Sequence, residues 1–428
     1  YTEPIAGNKL LEVNYAYVNN QSVVDWEAFD FNGFTGKYDS LNALQTIYFS
    51  NNFHANRLGA HFRWPGKKFD FQVGASIQQS TQTLTAAASK NANDSMVKRH
   101  YTNLLPMASF NYRVSNAARL NISYRGRTIF PTITQLQPTP DMSDPLYIRE
   151  GNAMLKPEFS NTLSINYTSF NIANFNFLSA NINIANSLNK IVNSIDSTGE
   201  PGVLRIRPVN VDGNFNLLSF LVYGIPLKNK LQGSNLNLSL SAIYNRQNNL
   251  LYKKNNRTET WMITQGISSN LDFNTFNLFI SAALTYNRAT YSSNTQFNRD
   301  YFTQNSSAEL TYSLWKDYLV GIDFDYFNNT DNTGFNPSIF LLNGSISRMI
   351  FKNKNGEIRL SVNDILNQNK SFIRRIGDNY IEDNNSLVLK RYFLLTFLYR
   401  FNKPGQAPAS DGLPKPFKRQ VDQLRISY

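Results

Sequence analysis

Residues 235–244 read NLNLSLSAIY. Successive side chains of an extended chain point to opposite faces, so Leu236, Leu238, Leu240, Ala242 and Tyr244 share one side and Asn235, Asn237, Ser239 and Ser241 the other. The same period returns in Ala108, Phe110, Tyr112 and Val114; in Leu120, Ile122 and Tyr124; in Phe276, Leu278, Ile280, Ala282, Leu284 and Tyr286; and in Tyr318, Val320, Ile322, Phe324 and Tyr326. A soluble β-sandwich alternates as well, so the spacing of the strands has to decide between the two architectures.

The links between these segments alternate short and long. Short ones lie near 65–67, 115–117, 170–174, 228–232, 272–275, 315–317 and 352–356, and long ones near 19–40, 81–99, 128–157, 188–210, 246–257, 288–303, 328–336 and 366–386. Tight turns on one side and extended loops on the other are the connection pattern of an outer-membrane barrel. Residues 41–64 read as one long strand, because Tyr48, Leu58, Ala60, Phe62 and Trp64 keep the same parity with Asn and His between them. The expectation is an all-β, transmembrane antiparallel β-barrel with about sixteen strands in this chain, give or take two.

Composition agrees. Of 428 residues, 41% are hydrophobic and 14% aromatic, and no apolar run reaches the roughly 20 residues of a membrane helix. The chain has no cysteine, which excludes disulfides, thiolate nucleophiles and cysteine metal sites. Its formal charge of +12 is spread along the whole length rather than gathered in one run. Nucleic acid is therefore not expected as a partner, whereas phosphate-rich lipid headgroups or anionic ligands are.

Three stretches carry a family resemblance. PTITQLQPTPDMSDPLYIREGNAMLKPEFSNTLSINY (131–167) resembles the loop and strand of TonB-dependent receptors in which a Gly-Asn-x-x-Leu-x-Pro-Glu element opens a barrel strand, here Gly151, Asn152, Leu155, Pro157 and Glu158. SVNDILNQNKSFIRR (361–375) is similar to the family's penultimate strand and its turn, here Asn363, Asp364, Ile365, Leu366 and Asn367. RYFLLTFLYRF (391–401) resembles the closing strand, with Phe393, Phe397, Tyr399 and Phe401; in the family the terminal aromatic is associated with recognition by the assembly machinery. The nearest likeness is to barrel domains that follow a carboxypeptidase-regulatory-like domain and a plug.

That resemblance implies a barrel of about 22 strands around a plug, so residues 1–428 are expected to be the C-terminal part of a longer polypeptide. Residues 1–401 would be barrel strands and loops, and 402–428 a periplasmic C-terminal tail in which Phe417, Val421, Leu424 and Ile426 offer apolar anchors for docking. The implied place is the outer membrane of a Gram-negative bacterium. The implied role is import of a bulky nutrient, such as a metal chelate, glycan or peptide, gripped by long extracellular loops. Implied partners are outer-membrane lipids and lipopolysaccharide, the inner-membrane energising complex reached through a plug, and a surface lipoprotein. Two alternatives stay open: a non-transporting barrel subunit of an outer-membrane assembly or secretion complex, docking through loops or the tail, and a passive porin.

No catalytic constellation emerges, and neither an enzyme nor a cofactor is expected. The three histidines are His54, His61 and His100; the first two are seven apart and face opposite ways, so they cannot share a metal. Asp323 and Asp325 share a strand face but lack the spacing of a calcium loop. Arg205, Arg207, Arg374 and Arg375 stand in long links, as solvated charge or as cations for an anionic ligand or lipopolysaccharide phosphates. Ligand-binding residues are not identifiable from the sequence, because loops of this kind converge only in three dimensions.

Overall fold

The structure, a computed structural model, describes residues 1–401 other than 43–45, 88–94, 138–139, 142–143, 145, 172–174, 228–232, 274, 316, 332–337, 352–353 and 377–380. The tail anchors Phe417, Val421, Leu424 and Ile426 lie outside the described residues. Among the described residues, pairing gathers twenty strands into one sheet.

Sixteen of these strands are the successive traverses. They are Lys9–Trp26, Ile47–Pro65, Phe69–Ala87, Ser95–Ser115, Ala118–Ile129, Glu158–Phe170, Phe177–Leu188, Asn214–Pro226, Asn235–Leu251, Lys254–Phe273, Phe276–Tyr291, Arg299–Trp315, Tyr318–Asp331, Ser338–Ile350, Gly356–Asn363 and Tyr392–Tyr399. The other four are short additions. Thr2–Ala6 pairs with Lys9–Trp26, and Tyr147–Arg149, Lys190–Ser197 and Leu204–Val211 lie within the long links.

By internal contact the chain divides into two units, Tyr1–Thr168 with Asn181–Leu218 and Tyr244–Thr258, and Ser169–Ala180 with Ser219–Ile243 and Glu259–Tyr428. In the first unit the ladder between Ile47–Pro65 and Phe69–Ala87 runs without a bulge from Tyr48↔Ala87 to Pro65↔Asp70. Unbroken register keeps every side chain on its face. Tyr15, Leu58, Ile77 and Leu104 form one cross-strand row, and Leu11, Phe62, Val73, Ala108 and Tyr124 form another. None of these side chains is buried, and Tyr15, Leu58, Ile77, Leu104, Leu11 and Val73 are exposed, with Leu58 at 58% and Leu104 at 59%. The buried positions of the same strands belong to the opposite, polar face: Ser76 is 0% exposed, Gln82 1% and His61 4%. Apolar outside and polar inside is the reverse of a soluble sandwich and matches a barrel wall that meets lipid.

One row beyond Leu58 the outer face becomes polar, with Tyr17, Asn56, Gln79 and Thr102, and then Asn19, His54, Thr81 and His100. His54 and His61 thus stand on opposite faces, as parity demands. The inner end of the apolar band carries Trp64, against Phe69 at 5.0 Å and under the Lys9 ammonium at 5.1 Å.

The second unit repeats the scheme. Phe276, Tyr312, Val320, Ile346, Leu360 and Leu395 follow one another across the ladders on the apolar face. Its inner ends are aromatic too, with Trp315 against Tyr318 at 5.5 Å and Phe351 against Tyr399 at 5.7 Å. Amphipathic rings suit the boundary between hydrocarbon and water. The opposite face is stitched by short polar side chains, including Ser281 with Ser307 at 2.7 Å and Asn287 with Thr303 at 3.2 Å.

The structure corrects several link boundaries. Residues 246–257, read as a long link, are strand ends joined by a tight turn at Tyr252 and Lys253, whose φ values are 51° and 62°. The polar sequence there reflects strands that continue past the apolar band. The strand expected over 41–64 begins at Ile47, and the links 19–40, 188–210 and 366–386 contain hairpins of their own, Phe29–Asn32 with Lys37–Leu41, Lys190–Ser197 with Leu204–Val211, and Ser371–Ile376 with Ile381–Ser386.

Placing a charge on the apolar face tests this assignment. Ala60→Arg, between Phe62 and Leu58 within the band, is expected to destabilise the protein in lipid vesicles by about 2–4 kcal/mol in urea unfolding, and Asn52→Arg, on the same face beyond the band, by about 0–1 kcal/mol.

Candidate functional site

The long link after Ala118–Ile129 is where the polar face acquires an outer layer. Thr132 caps a single helical turn, Ile133–Leu136: its hydroxyl accepts from the Gln135 N–H at 3.3 Å, and Gln135 Oε1 accepts from the Thr132 N–H at 2.9 Å. The reciprocal cap fixes the direction of the turn. Leu136 then packs with Leu155 against Phe49 and Leu84 of the first unit's polar face, all four buried, with Val24, Ile133 and Ile191 around them. Hydrophobic contact thus lays the link down on the wall, each fully buried aliphatic side chain contributing about 1.5–3 kcal/mol.

The motif at 151–158 holds that arrangement. Gly151 donates to the Gln137 carbonyl at 2.8 Å, and a Cβ at this position would strike the Gln137 backbone, so only glycine fits. Asn152 donates its backbone N–H to Gln135 O at 2.6 Å and its amide to Pro208 O at 3.0 Å, while its Oδ1 accepts from the Met154 N–H at 2.9 Å. Leu155 is the core residue just described, and its carbonyl accepts from Arg99 Nη1 at 3.0 Å. Pro157 leads into the next traverse. Glu158 is buried, taking Lys190 Nζ at 3.1 Å and the Ile191 N–H at 3.0 Å. Asn210 completes the staple, exchanging hydrogen bonds with both backbone groups of Lys156 at 2.8 Å. Two outer links, 130–157 and 189–213, are thereby fastened together.

Charge is displayed on this layer. Glu150 forms ion pairs with Arg207 at 3.4 Å and with Arg205 at 3.9 Å. The two arginines therefore share one carboxylate, and Arg149 beside them is exposed.

In the second unit, Asp364 organises a comparable turn at the outer end of Gly356–Asn363. It is buried, adopts φ 53°, and its carboxylate accepts from the Gln368 N–H at 2.8 Å and the Asn369 N–H at 3.1 Å. Its own N–H donates to Asn343 Oδ1 at 2.9 Å, Ile365 donates to Leu342 O at 2.7 Å, and Asn367, at φ 55°, donates to Asp364 O at 2.9 Å. Leu366 is exposed. Beyond it Arg374 and Arg375 stand opposite Asp383 and Glu382 in the hairpin register.

The closing strand Tyr392–Tyr399 places Phe393, Leu395 and Phe397 opposite Val362, Leu360 and Ile358 on the apolar face, with Tyr399 opposite Gly356. Phe401 packs edge-on against Tyr399 at 4.6 Å. On the other face Glu357, 2% exposed, binds Arg359 at 2.5 Å and Arg400 at 3.3 Å, which ties the end of the last strand to its neighbour. Asp323 lies opposite Glu309 on the second unit's polar face. Among the described residues no group of three or more His, Asp or Glu is arranged to hold a metal ion.

Sequence reasoning missed Arg57, Arg125 and Arg127, which parity sets on the first unit's polar face. The signal was present: each falls between apolar-face residues, Leu58, Tyr124 and Gly126. It also missed Asn210 and Arg99, whose roles depend on contacts between distant segments.

Two substitutions test the staples. Gly151→Ala should release the 130–157 link and speed limited proteolysis within it at least fivefold, with the strands left intact. Asp364→Ala removes the acceptor of two backbone N–H groups at a buried position and should lower stability by about 1–3 kcal/mol in urea unfolding; Asp364→Asn should lose less.

No curated protein matches the chain. Solved structures similar to it include the copper transporter OprC, at 11% identity and TM-score 0.42 over 91% of this chain and 62% of that one. The ferripyoverdine receptor of the outer membrane of Pseudomonas aeruginosa shares 10% identity at TM-score 0.31, over 92% and 66% respectively. OmpT, an outer membrane protein of Vibrio cholerae, in trimer form, shares 8% at TM-score 0.32, over 91% and 99%. The chain thus spans less than two thirds of the length of OprC. The sequence profile of the outer membrane protein β-barrel family matches residues 1–282 and 266–399. By that match, which covers the described traverses, the chain belongs to the outer membrane protein β-barrel family, and its place is the outer membrane of a Gram-negative bacterium.

Proposed function

We propose that the chain is the barrel of a TonB-dependent type receptor that imports a bulky solute. The observation that carries this reading is the stapled outer layer: links 130–157 and 189–213 are packed and hydrogen-bonded over the polar wall rather than left free. Binding a solute from dilute medium requires loops whose ordering entropy is already met, because each residue ordered on binding costs roughly 1–2 kcal/mol. The resemblance of Gly151 to Glu158 and of Asn363 to Asn367 to receptor motifs supports the same reading. A polar wall that takes up charged side chains suits a solute path and needs no catalytic group.

A second reading, a non-transporting subunit of an outer-membrane assembly, has one observation in its favour. The hairpin Phe29–Asn32 with Lys37–Leu41 turns Phe29, Phe31, Tyr38 and Leu41 to one face, all exposed, with Phe34 exposed at its tip. Exposed aromatic patches of this kind mark contact surfaces.

Purification of the native polypeptide from its own membrane, with intact mass and identification of every co-purifying chain, separates the two. Cross-linking to the inner-membrane energising protein, with no stoichiometric outer-membrane subunits, is the expected result. Several stoichiometric partners that are lost when residues 27–42 or 403–428 are deleted would replace it with the scaffold reading.

A further inference from the structure

The apolar face of the second unit carries a cavity toward its outer end. It holds about 460 Å³ and is lined by Glu259, Trp261 and Ile263 of Lys254–Phe273 and by Tyr286, Arg288 and Thr290 of Phe276–Tyr291. Parity sets the lining on the side that meets lipid. Tyr286, Arg288 and Thr290 continue the series Phe276, Leu278, Ile280, Ala282 and Leu284, while the alternate residues Thr285, Asn287, Ala289 and Tyr291 are buried on the polar side. On the other strand Trp261, Ile263 and Ile267 share one parity and are exposed.

Height decides what the cavity meets. Tyr286 lies ten residues beyond Phe276 on one unbroken ladder, and at about 3.4 Å per residue with a strand tilt of about 40° that rises about 26 Å, close to the roughly 25 Å of an outer-membrane apolar band. The rows of this face change accordingly. Ile280, Ala308 and Phe324 form an apolar row, Leu284, Gln304 and Asn328 a mixed one, and Arg288 stands opposite Asp300. Tyr286 and Ile263 beside it therefore mark the hydrocarbon boundary, with Arg288 and Thr290 beyond it in the headgroup layer.

Neighbouring side chains hold the lining in place. Tyr286 donates its hydroxyl to Asp300 Oδ1 at 3.3 Å, and its ring lies 5.3 Å from that of Phe302. Arg288 pairs with the same carboxylate at 3.8 Å. Arg299–Trp315, which carries Asp300 and Phe302, is paired in turn with Tyr318–Asp331, so the wall continues past the site. Strands added at an edge of the sheet, or a segment packed on the polar face, would leave this face uncovered.

The chemistry of the lining narrows the ligand. Trp261 and Tyr286 offer ring faces whose negative potential suits the C–H edge of a sugar ring. Glu259 accepts, Arg288 donates and Thr290 does both, which is the mixture that neighbouring hydroxyls need, because each hydroxyl donates and accepts. Arg288 is the one cation of the lining, set against the carboxylates of Asp300 and Glu259, and that balance disfavours a phosphate. Ile263 leads from the cavity into the apolar band, where acyl chains lie.

We propose that this cavity binds the sugar headgroup of a glycolipid of the outer leaflet, with the ring against Trp261 and Tyr286 and the hydroxyls on Glu259, Arg288 and Thr290. The site lies on the opposite side of the wall from the polar face, so it stands whether the chain transports a solute or serves as a scaffold.

The test is native mass spectrometry of the purified full polypeptide in detergent, titrated with lipid A, a phosphorylated glucosamine disaccharide that carries acyl chains. Wild type is expected to bind it at least tenfold more tightly than phosphatidylglycerol, and to bind dephosphorylated lipid A within threefold of the phosphorylated form. The double variant Trp261→Ala, Arg288→Ala should bind lipid A at least fivefold more weakly, and Trp315→Ala, at the inner end of the second unit, within twofold of wild type. Absence of lipid A binding, equal binding of phosphatidylglycerol, a tenfold loss on dephosphorylation, or equal weakening by both variants overturns the proposal. Equally tight binding of the disaccharide without acyl chains also overturns it, since that would mark a site for free glycan. Should the double variant fail to fold, oxidation of wild type by N-bromosuccinimide decides: lipid A should protect Trp261 at least fivefold more than Trp315, and equal protection counts against the site.

Discussion

In hydrocarbon a peptide group has no water to turn to, and each one left without a partner costs several kcal/mol. The rest of the molecule follows from meeting that demand with inter-strand hydrogen bonds. Register between Ile47–Pro65, Phe69–Ala87 and Ser95–Ser115 is uninterrupted from the inner turns to beyond the apolar band. Once the ladder is fixed, period two distributes the side chains. Within the apolar band every second residue faces lipid, as Leu58, Phe62 and Trp64 do. The intervening positions carry Asn, Ser, Thr and Gln, whose short side chains bond across strands, as Asn183 to Ser164 at 2.7 Å and Thr264 with Thr285 at 2.9 Å. Each such pair is worth a fraction of a kcal/mol to about 1 kcal/mol, so many are needed and none is critical.

The outer links obey a different rule. They lie beyond hydrocarbon, and their order comes from side chains that accept backbone N–H groups and from a small apolar core. Glu158 and Asp364 are the clearest cases, buried carboxylates that each take a backbone donor at about 3 Å and so replace a missing ladder partner. The core of Phe49, Leu84, Leu136 and Leu155 does the rest. Strand tips of the wall supply half of that core, which is why strands continue well past the last apolar row instead of ending at it.

Much of this was legible from sequence. Parity alone sets Leu58, Phe62 and Trp64 apart from His61, and alternation of link length orders the traverses. What parity cannot show is where a strand leaves the membrane. Residues 246–257 look like a loop because Asn, Gln, Lys and Arg occupy both faces once neither meets lipid, yet the backbone stays paired up to the turn at Tyr252 and Lys253. Hairpins inside links were missed for the same reason. The motif at 151–158 was recognisable as a pattern, but its partners, Gln137, Pro208 and Lys190, are scattered in sequence and meet only in the fold. Arg57, Arg125 and Arg127 were legible in principle, since the parity that assigns Leu58 and Tyr124 to lipid assigns them to the wall.

Those arginines constrain what the wall can be. Facing lipid, an arginine at mid-depth costs about 2.5–3.5 kcal/mol, more in some treatments, and no ladder position would retain three without return. On the polar face they escape that cost where water or an opposite charge meets them; Asp70 on the same face is already engaged by Arg63. On the second unit's polar face Glu309, Asp323 and Asp325 are grouped across one pair of strands, and Glu357 is paired with Arg359 and Arg400. A wall whose only task was to close hydrogen bonds would have no reason to sort charge in this way; serine and asparagine would serve everywhere. Charge placed at hydrocarbon depth on the polar face is thus chemistry that closing the ladder alone does not require.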